Sequence, residues 1–225
     1  MRTSLSTDEM ASYVSNQVNY FYPDGQSINI GTHKSDLKLA LDRLENCFKH
    51  SSVKWYCASG EAIFNHLFSD QYAAFLWFLS NTLWHAEADE WLLNKLFYLN
   101  KALHGIECMY DTKLPDVFFL SHTVGTVLGK ATYGNFLVVS HGCTIGIHRG
   151  NYPIIGQAVA LGAGASLIGK CSVGNRVSIG SHPSLFEKDI SNDTTVYQDE
   201  HGQIIHRHPT SPYAQKFYAT DLSQI

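Results

Sequence analysis

Two periods divide the chain. Between about residue 33 and residue 108, apolar positions recur every three or four residues. Leu37, Leu41, Leu44 and Phe48 form one such set, Tyr72, Phe75, Leu76, Leu79 and Leu83 another, and Leu92, Leu96, Leu99 and Leu103 a third that starts near Asp89. A segment after Ser59 groups Ile63, Phe64, Leu67 and Phe68 in the same way. This is the spacing of helices with one face in a core, and it predicts four successive helices packed as a bundle. The aromatic residues of this region, among them Phe75, Trp77, Phe78, Trp84, Trp91 and Phe97, suit that core or a subunit contact.

After Pro115 the period becomes six. Ile155, Leu161, Leu167, Val173, Ile179 and Leu185 follow one another at six-residue intervals, and small or compact residues (Pro153, Val159, Ala165, Cys171, Val177, Pro183) stand two places before each. Gly156, Gly162, Gly174 and Gly180 directly follow most of the anchors. The phase runs backward through Ile145, Val139 and Tyr133, with a ten-residue step from Ile145 to Ile155 that leaves about four residues to bulge out around 148–152. A helix repeats every 3.6 residues and an ordinary strand every two. A six-residue repeat with one inward anchor per strand and small residues at the turns predicts a solenoid of short stacked strands, a parallel β-helix. The expected architecture is α+β: a helical domain at 1–110, a hexapeptide-repeat β-helix of four to five coils at 111–190 and a polar tail at 191–225 that covers the far end or runs along the surface.

Composition narrows the function classes without choosing one. With 44% hydrophobic and 16% charged residues the chain has ample material for a core, so long disorder is not expected. A net charge of −4 and scattered lysines and arginines argue against a nucleic-acid partner. The stretch Tyr72 to Trp84 is too short for a membrane span, and the N-terminal MRTSLSTDEM has no apolar signal region. Five cysteines (Cys47, Cys57, Cys108, Cys143, Cys171) with no CxxC pair fit a reduced, cytoplasmic compartment. No Walker loop or dinucleotide fingerprint is present, since the GAGAS run belongs to the repeat. His85, Glu87 and Asp89 lie at a polar helix start, where acidic residues are common, and no metal site is expected there.

The stretches LSHTVGTVLGKA (120–131), GCTIG (142–146) and VALGAGASLIGKCSVGNRVSIG (159–180), with YLNKALHG at 98–105, resemble bacterial serine acetyltransferases. That resemblance implies a helical domain before a left-handed β-helix, acetyl-CoA as acyl donor, a homotrimer with the site between neighbouring subunits, and sometimes a dimer of trimers. It implies His122 as the base and an upstream acid that orients it: Asp111 first, then Asp116 or Glu107. Gly146, Ala163 and Ser181 match positions lining the donor groove, with Gly164 and Ser178 beside them. His122 also stands on its own chemistry. Acyl transfer from a thioester to a hydroxyl needs a base that works near neutral pH, and donors for the oxyanion that develops. His141 and His182, also in turns, are the alternative bases.

Two positions depart from the family. Ser121 stands where those enzymes carry an aspartate that holds the amino acid, and Tyr152 stands where they carry a histidine in the protruding loop, with His148 and Arg149 nearby. One acid among Glu87, Asp89 and Glu90 corresponds loosely to the family's upstream substrate aspartate. Ser121, Arg149 and Tyr152 are thus the candidate acceptor contacts. The expected reaction is O-acetylation of L-serine or a serine-like molecule, with a sugar or polysaccharide precursor as the alternative acceptor and a non-catalytic scaffold as the outside reading. Cys143 and Cys171 are assigned to packing.

Overall fold

The computed structural model describes all 225 residues. It begins with β1 (Arg2–Thr3), α1 (Thr7–Phe21) and α2 (Lys34–Phe48), then β2 (Cys57–Ala58) and β3 (Glu61–Phe64), then α3 (Ser69–His85) and α4 (Glu90–His104). Four helices are present, though not the four expected. The segment after Ser59 is not helical. Ser59 and Gly60 adopt φ of 53° and 79°, the pair of left-handed residues that closes a tight hairpin. Ala62 and Phe64 then alternate into the core with a strand's period of two, while Leu67 is exposed. The helix that pattern reading overlooked is α1. Its signal was the Ser6–Glu9 capping box followed by Met10, Val14 and Val18, all buried.

α3 is the central helix. Every residue from Asp70 to Leu83 is buried, and α2 and α4 flank it. Asp89 caps α4 by accepting the Trp91 N–H at 2.8 Å, and left-handed Gly105 ends it. Arg43 on α2 reaches Asn81 and Thr82 of α3 at 2.8 and 2.7 Å, its guanidinium lying over the Phe78 ring.

From residue 106 the chain coils. Each full coil contributes one strand to each of three parallel sheets. The first sheet holds β7 (Thr132–Tyr133), β10 (Ile154–Ile155) and β13 (Ser172–Val173). The second holds β5 (Phe118–Ser121), β8 (Leu137–Ser140), β11 (Ala160–Leu161), β14 (Ser178–Ile179) and β16 (Thr195–Gln198), with β17 (Ile204–Arg207) added antiparallel at its edge. The third holds β4 (Ile106–Glu107), β6 (Thr126–Leu128), β9 (Thr144–Gly146), β12 (Ser166–Ile168) and β15 (Ser184–Phe186). The result is a parallel β-helix of about five turns. Ile155 pairs with Val173, Leu161 with Ile179 and Leu167 with Leu185, so three six-residue units make one coil of eighteen. One coil up, Leu161 pairs with Val139 across twenty-two, and the four extra residues form the hairpin closed by His148 and Asn151.

The helices and the coils share one apolar core. Phe118 of β5 packs edge-on against Trp77 and stacks on Phe78 at 5.3 Å, and the Cys47 thiol donates to the Phe118 carbonyl at 3.1 Å. The chain after β17 turns back as a strap along the outer face of the second sheet. It ends against α2, where Ser52 N–H donates to Phe217 O and Ala219 N–H to His50 O, both at 2.9 Å. The Tyr218 hydroxyl donates to Leu137 O at 2.7 Å, joining strap to coil.

Close stacking leaves some turns no room for a side chain. A Cβ on Gly156 would lie 2.5 Å from Asn175 Oδ1 and 2.7 Å from the Gly174 carbonyl carbon. Gly156→Ala is expected to destabilise the fold by about 1–3 kcal/mol, read as a lower denaturation midpoint; a midpoint equal to the parent's would contradict the stacking described.

Candidate active site

On the corner between the second and third sheets, one turn breaks the repeat. Six residues separate paired inward anchors from Val139 to Ile145, from Leu161 to Leu167 and from Ile179 to Leu185. In the first coil the equivalent anchors are Leu120 and Leu128, eight apart. The two additional residues push His122 out at the corner, with φ of 57° and a side chain 80% exposed. A non-glycine residue persists in this conformation only where its surroundings hold it.

Three bonds hold it, all from the helical domain. The His122 N–H donates to Asp70 Oδ2 at 2.9 Å, the Thr123 hydroxyl to His104 O at 2.9 Å and the Gly125 N–H to Gly105 O at 3.0 Å. Gly105 is needed there, since a Cβ would come within 3.3 Å of Val124 Cα and its φ is 63°. Asp70, in the first turn of α3, is almost fully buried, and its Oδ2 lies 3.9 Å from His122 Nδ1. That is too long for a hydrogen bond, so the contact of Asp70 with this residue runs through the backbone N–H.

Behind Asp70 lies a second imidazole. His104 is buried, and its Nδ1 sits 2.7 Å from Asn100 Oδ1. Asn100 Nδ2 already donates to Ala73 O, so its oxygen is the acceptor and His104 carries its proton on Nδ1. Burial holds His104 well below the usual histidine range, at about 4, against smaller raising effects from Asn100 and Asp70.

A groove of about 700 Å³ runs down the corner from His122. One side is formed by turn residues of successive coils: His141, Ala163 and Ser181. The His141 ring lies 6.3 Å from that of His122. The strap forms the other side with Pro209, Pro212, Tyr213 and Lys216. The floor is neutral, and backbone N–H groups and small side chains suit a thin, extended ligand.

The geometry brings together only part of the expected set. His122, Ala163, Ser178 and Ser181 line the groove. Ser178 is buried, however, and its hydroxyl is taken by the Tyr213 N–H at 2.9 Å, so its part is to anchor the strap. Ser121 adjoins His122 at the end of β5, paired with Ser140. Gly164 packs beneath His182 in the same column of turns, and Gly146 ends β9 against Ile168, with neither among the groove's lining residues. Arg149 and Tyr152 stand exposed on the hairpin and do not reach the groove of their own chain.

Asp111 does not orient His122 within this chain. It is ion-paired with Lys130 at 2.7 Å, Glu107 is paired with Lys101 at 2.6 Å, and Asp116 borders a separate cleft beside Arg43. The carboxylate at His122 is Asp70. Pattern reading missed it because an aspartate in the first turn of an apolar helix is a common end-charge, and its partner lies fifty-two residues ahead.

No protein-family model matches the chain. In sequence it is similar to a serine acetyltransferase of Synechococcus elongatus, 30% identical over 117 residues that make up 50% of this chain and 47% of the relative. It is also similar to a serine acetyltransferase of Helicobacter pylori, 29% identical over 117 residues, 50% of this chain and 68% of the relative. The chain thus spans about half the length of the first of these relatives. A solved serine acetyltransferase in complex with CoA superposes with a TM-score of 0.68 at 17% identity, covering 89% of this chain and 86% of that one. The fold is the fold of the serine acetyltransferases: N-terminal helices followed by a parallel β-helix.

The buried His104 makes stability depend on pH. Between its folded value of about 4 and the ordinary 6.5, the unfolded chain binds a proton that the folded chain does not. Stability therefore falls as pH drops through that window, by about 3 kcal/mol from this group. Denaturant titrations at pH 7 and pH 4.5 are expected to show a smaller loss for His104→Gln than for the parent. An equal loss in both would contradict this reading of His104.

Proposed function

We propose that this chain is an acetyl-CoA-dependent O-acetyltransferase whose acceptor is L-serine or a serine-like small molecule. The observation that carries the reading is the two-residue bulge in a regular corner. It projects one imidazole, His122, to the head of a groove of small turn residues, with the Asp70 carboxylate 3.9 Å behind it. Similarity to serine acetyltransferases over half the chain supports the same reading, and a structural neighbour was solved in complex with CoA.

In this mechanism His122 takes the proton of the acceptor hydroxyl as its oxygen attacks the thioester carbonyl carbon. Asp70 keeps the loop in place through the His122 N–H, with its carboxylate facing the ring. Backbone N–H groups of the corner turns stabilise the oxyanion. The carbon–sulfur bond then breaks, and His122 returns the proton to the departing sulfur, leaving an ester and a free thiol. No covalent enzyme intermediate is needed. Cys143 suits none, since it is fully buried and burial pushes its thiol up to about 11.

A sugar hydroxyl is the second reading. It is favoured by one observation: no carboxylate lines the groove, so Asp70 behind His122 is the nearest anion for the ammonium of serine. A sugar would need no such charge.

The assembly that fits is a homotrimer, which would bring the exposed Arg149 and Tyr152 of one subunit toward the groove of the next. Ile147, Ile154 and Phe186, exposed around the hairpin, offer apolar surface to a neighbouring copy. No helix is long and apolar enough to cross a membrane. Five free cysteines accord with a cytoplasmic location.

Thiol release from acetyl-CoA with L-serine and a panel of sugars tests the proposal. His122→Ala is expected to lower kcat about 10²–10⁴-fold with the fold intact, and near-parental turnover would contradict it. Cys143→Ser should stay close to the parent, whereas a dead variant would point to an acyl-cysteine route. Sedimentation of the parent should give a trimer, and a monomer at assay concentration would exclude a site shared between subunits.

A further inference from the structure

The groove has an electrostatic asymmetry. Of the residues that line it, Lys216 is the single lysine or arginine, and none is an aspartate or glutamate. The chain as a whole carries a formal charge of −4. A carboxylate-free groove with one cation is thus unlike the average surface of this protein, and it suits an anionic ligand. A CoA thioester brings a diphosphate and a 3′-phosphate, which neutral turn residues do not compensate.

Lys216 is held in position by its neighbours. It closes the short turn Tyr213–Lys216 of the strap. The turn is tied at its start by the Tyr213 N–H on Ser178 Oγ and at its end by the Ser52 hydroxyl on Lys216 O, each at 2.9 Å. The ammonium lies 4.5 Å from the centre of the Tyr213 ring. The coil below and the helical domain above therefore fix the backbone, while the lysine side chain stays exposed to the groove. His122 stands at the head of the same groove, so an extended thioester reaching the imidazole would carry its phosphates past the strap.

We propose that Lys216, presented by the C-terminal strap, binds the phosphates of the donor, so that the strap and not the coils selects a nucleotide-bearing thioester. The inference rests on the donor reading above. A lysine suits this task because a compact charge on a flexible stem follows phosphate without demanding one geometry. The coils supply contacts to the uncharged pantetheine arm, which any thioester of that arm would share.

Calorimetric binding of CoA and of pantetheine, which lacks phosphates, separates the two contributions without relying on turnover. Lys216→Met is expected to weaken CoA at least tenfold at low ionic strength and to leave pantetheine unchanged, while Lys216→Arg retains most of the CoA affinity. Added salt should narrow the gap between parent and Lys216→Met. Equal CoA affinity in parent and Lys216→Met would overturn the proposal. So would equal weakening of CoA and pantetheine, which would mean that the strap had merely been disturbed. No binding of CoA by the parent would overturn both this inference and the donor reading. Phosphate-dependent binding through Lys216 without thiol release to any acceptor would sink the catalytic reading alone.

Discussion

The His122 N–H bonded to Asp70 Oδ2 at 2.9 Å is the contact on which the rest of the site depends. A β-helix enforces its own period, and every later turn on that corner obeys it, with six residues between anchors. Two residues more can be accommodated only if something outside the repeat accepts their backbone groups. The first turn of α3 and the last carbonyls of α4 do so, through Asp70, His104 and Gly105. The helical domain is therefore more than a cap on the solenoid. It shares a core with the coils through Trp77, Phe78 and Phe118, and it holds the loop that departs from the repeat on this corner.

The second wall has a similar logic. The strap covers the outer face of the second sheet, whose Val138 and Ala160 would otherwise face water. In doing so it converts an open corner into a groove. Its anchors are spread over the molecule: Ser178 in one coil, Leu137 in another, and Ser52 and His50 beside α2. Residues far apart in the chain thus set the groove's width together, and the only cation in it arrives on the strap.

The solenoid was legible because a six-residue ladder is written in consecutive side chains, from Ile155 to Leu185, and even the four-residue hairpin followed from one irregular step. The helices were legible where a stripe of leucines repeats, as in α2, α3 and α4. The errors came where local chemistry overrode apolar spacing. Ser59 and Gly60 turned a presumed helix into a hairpin, and the buried stripe of α1 is Met10, Val14 and Val18, without the run of leucines that marks the other helices. At the site, His122, Ala163 and Ser181 were reached through the resemblance of their stretches to serine acetyltransferases, which the period alone would not have supplied. Asp70 and Lys216 were not, because each arrives from a segment outside the repeat, and a long-range contact leaves no mark on local spacing.

The proposed chemistry is the movement of an acetyl group from sulfur to oxygen by one imidazole lifted out of a regular corner. Its most direct test is the identity of the product. The protein, incubated with acetyl-CoA labelled at the acetyl carbonyl and with L-serine, should yield an ester carbonyl signal by NMR together with free CoA in equal amount. Labelled acetate alone, or an amide carbonyl with no preceding ester signal in mildly acidic buffer, where the ester's acyl shift to the neighbouring amine is slow, would contradict the account.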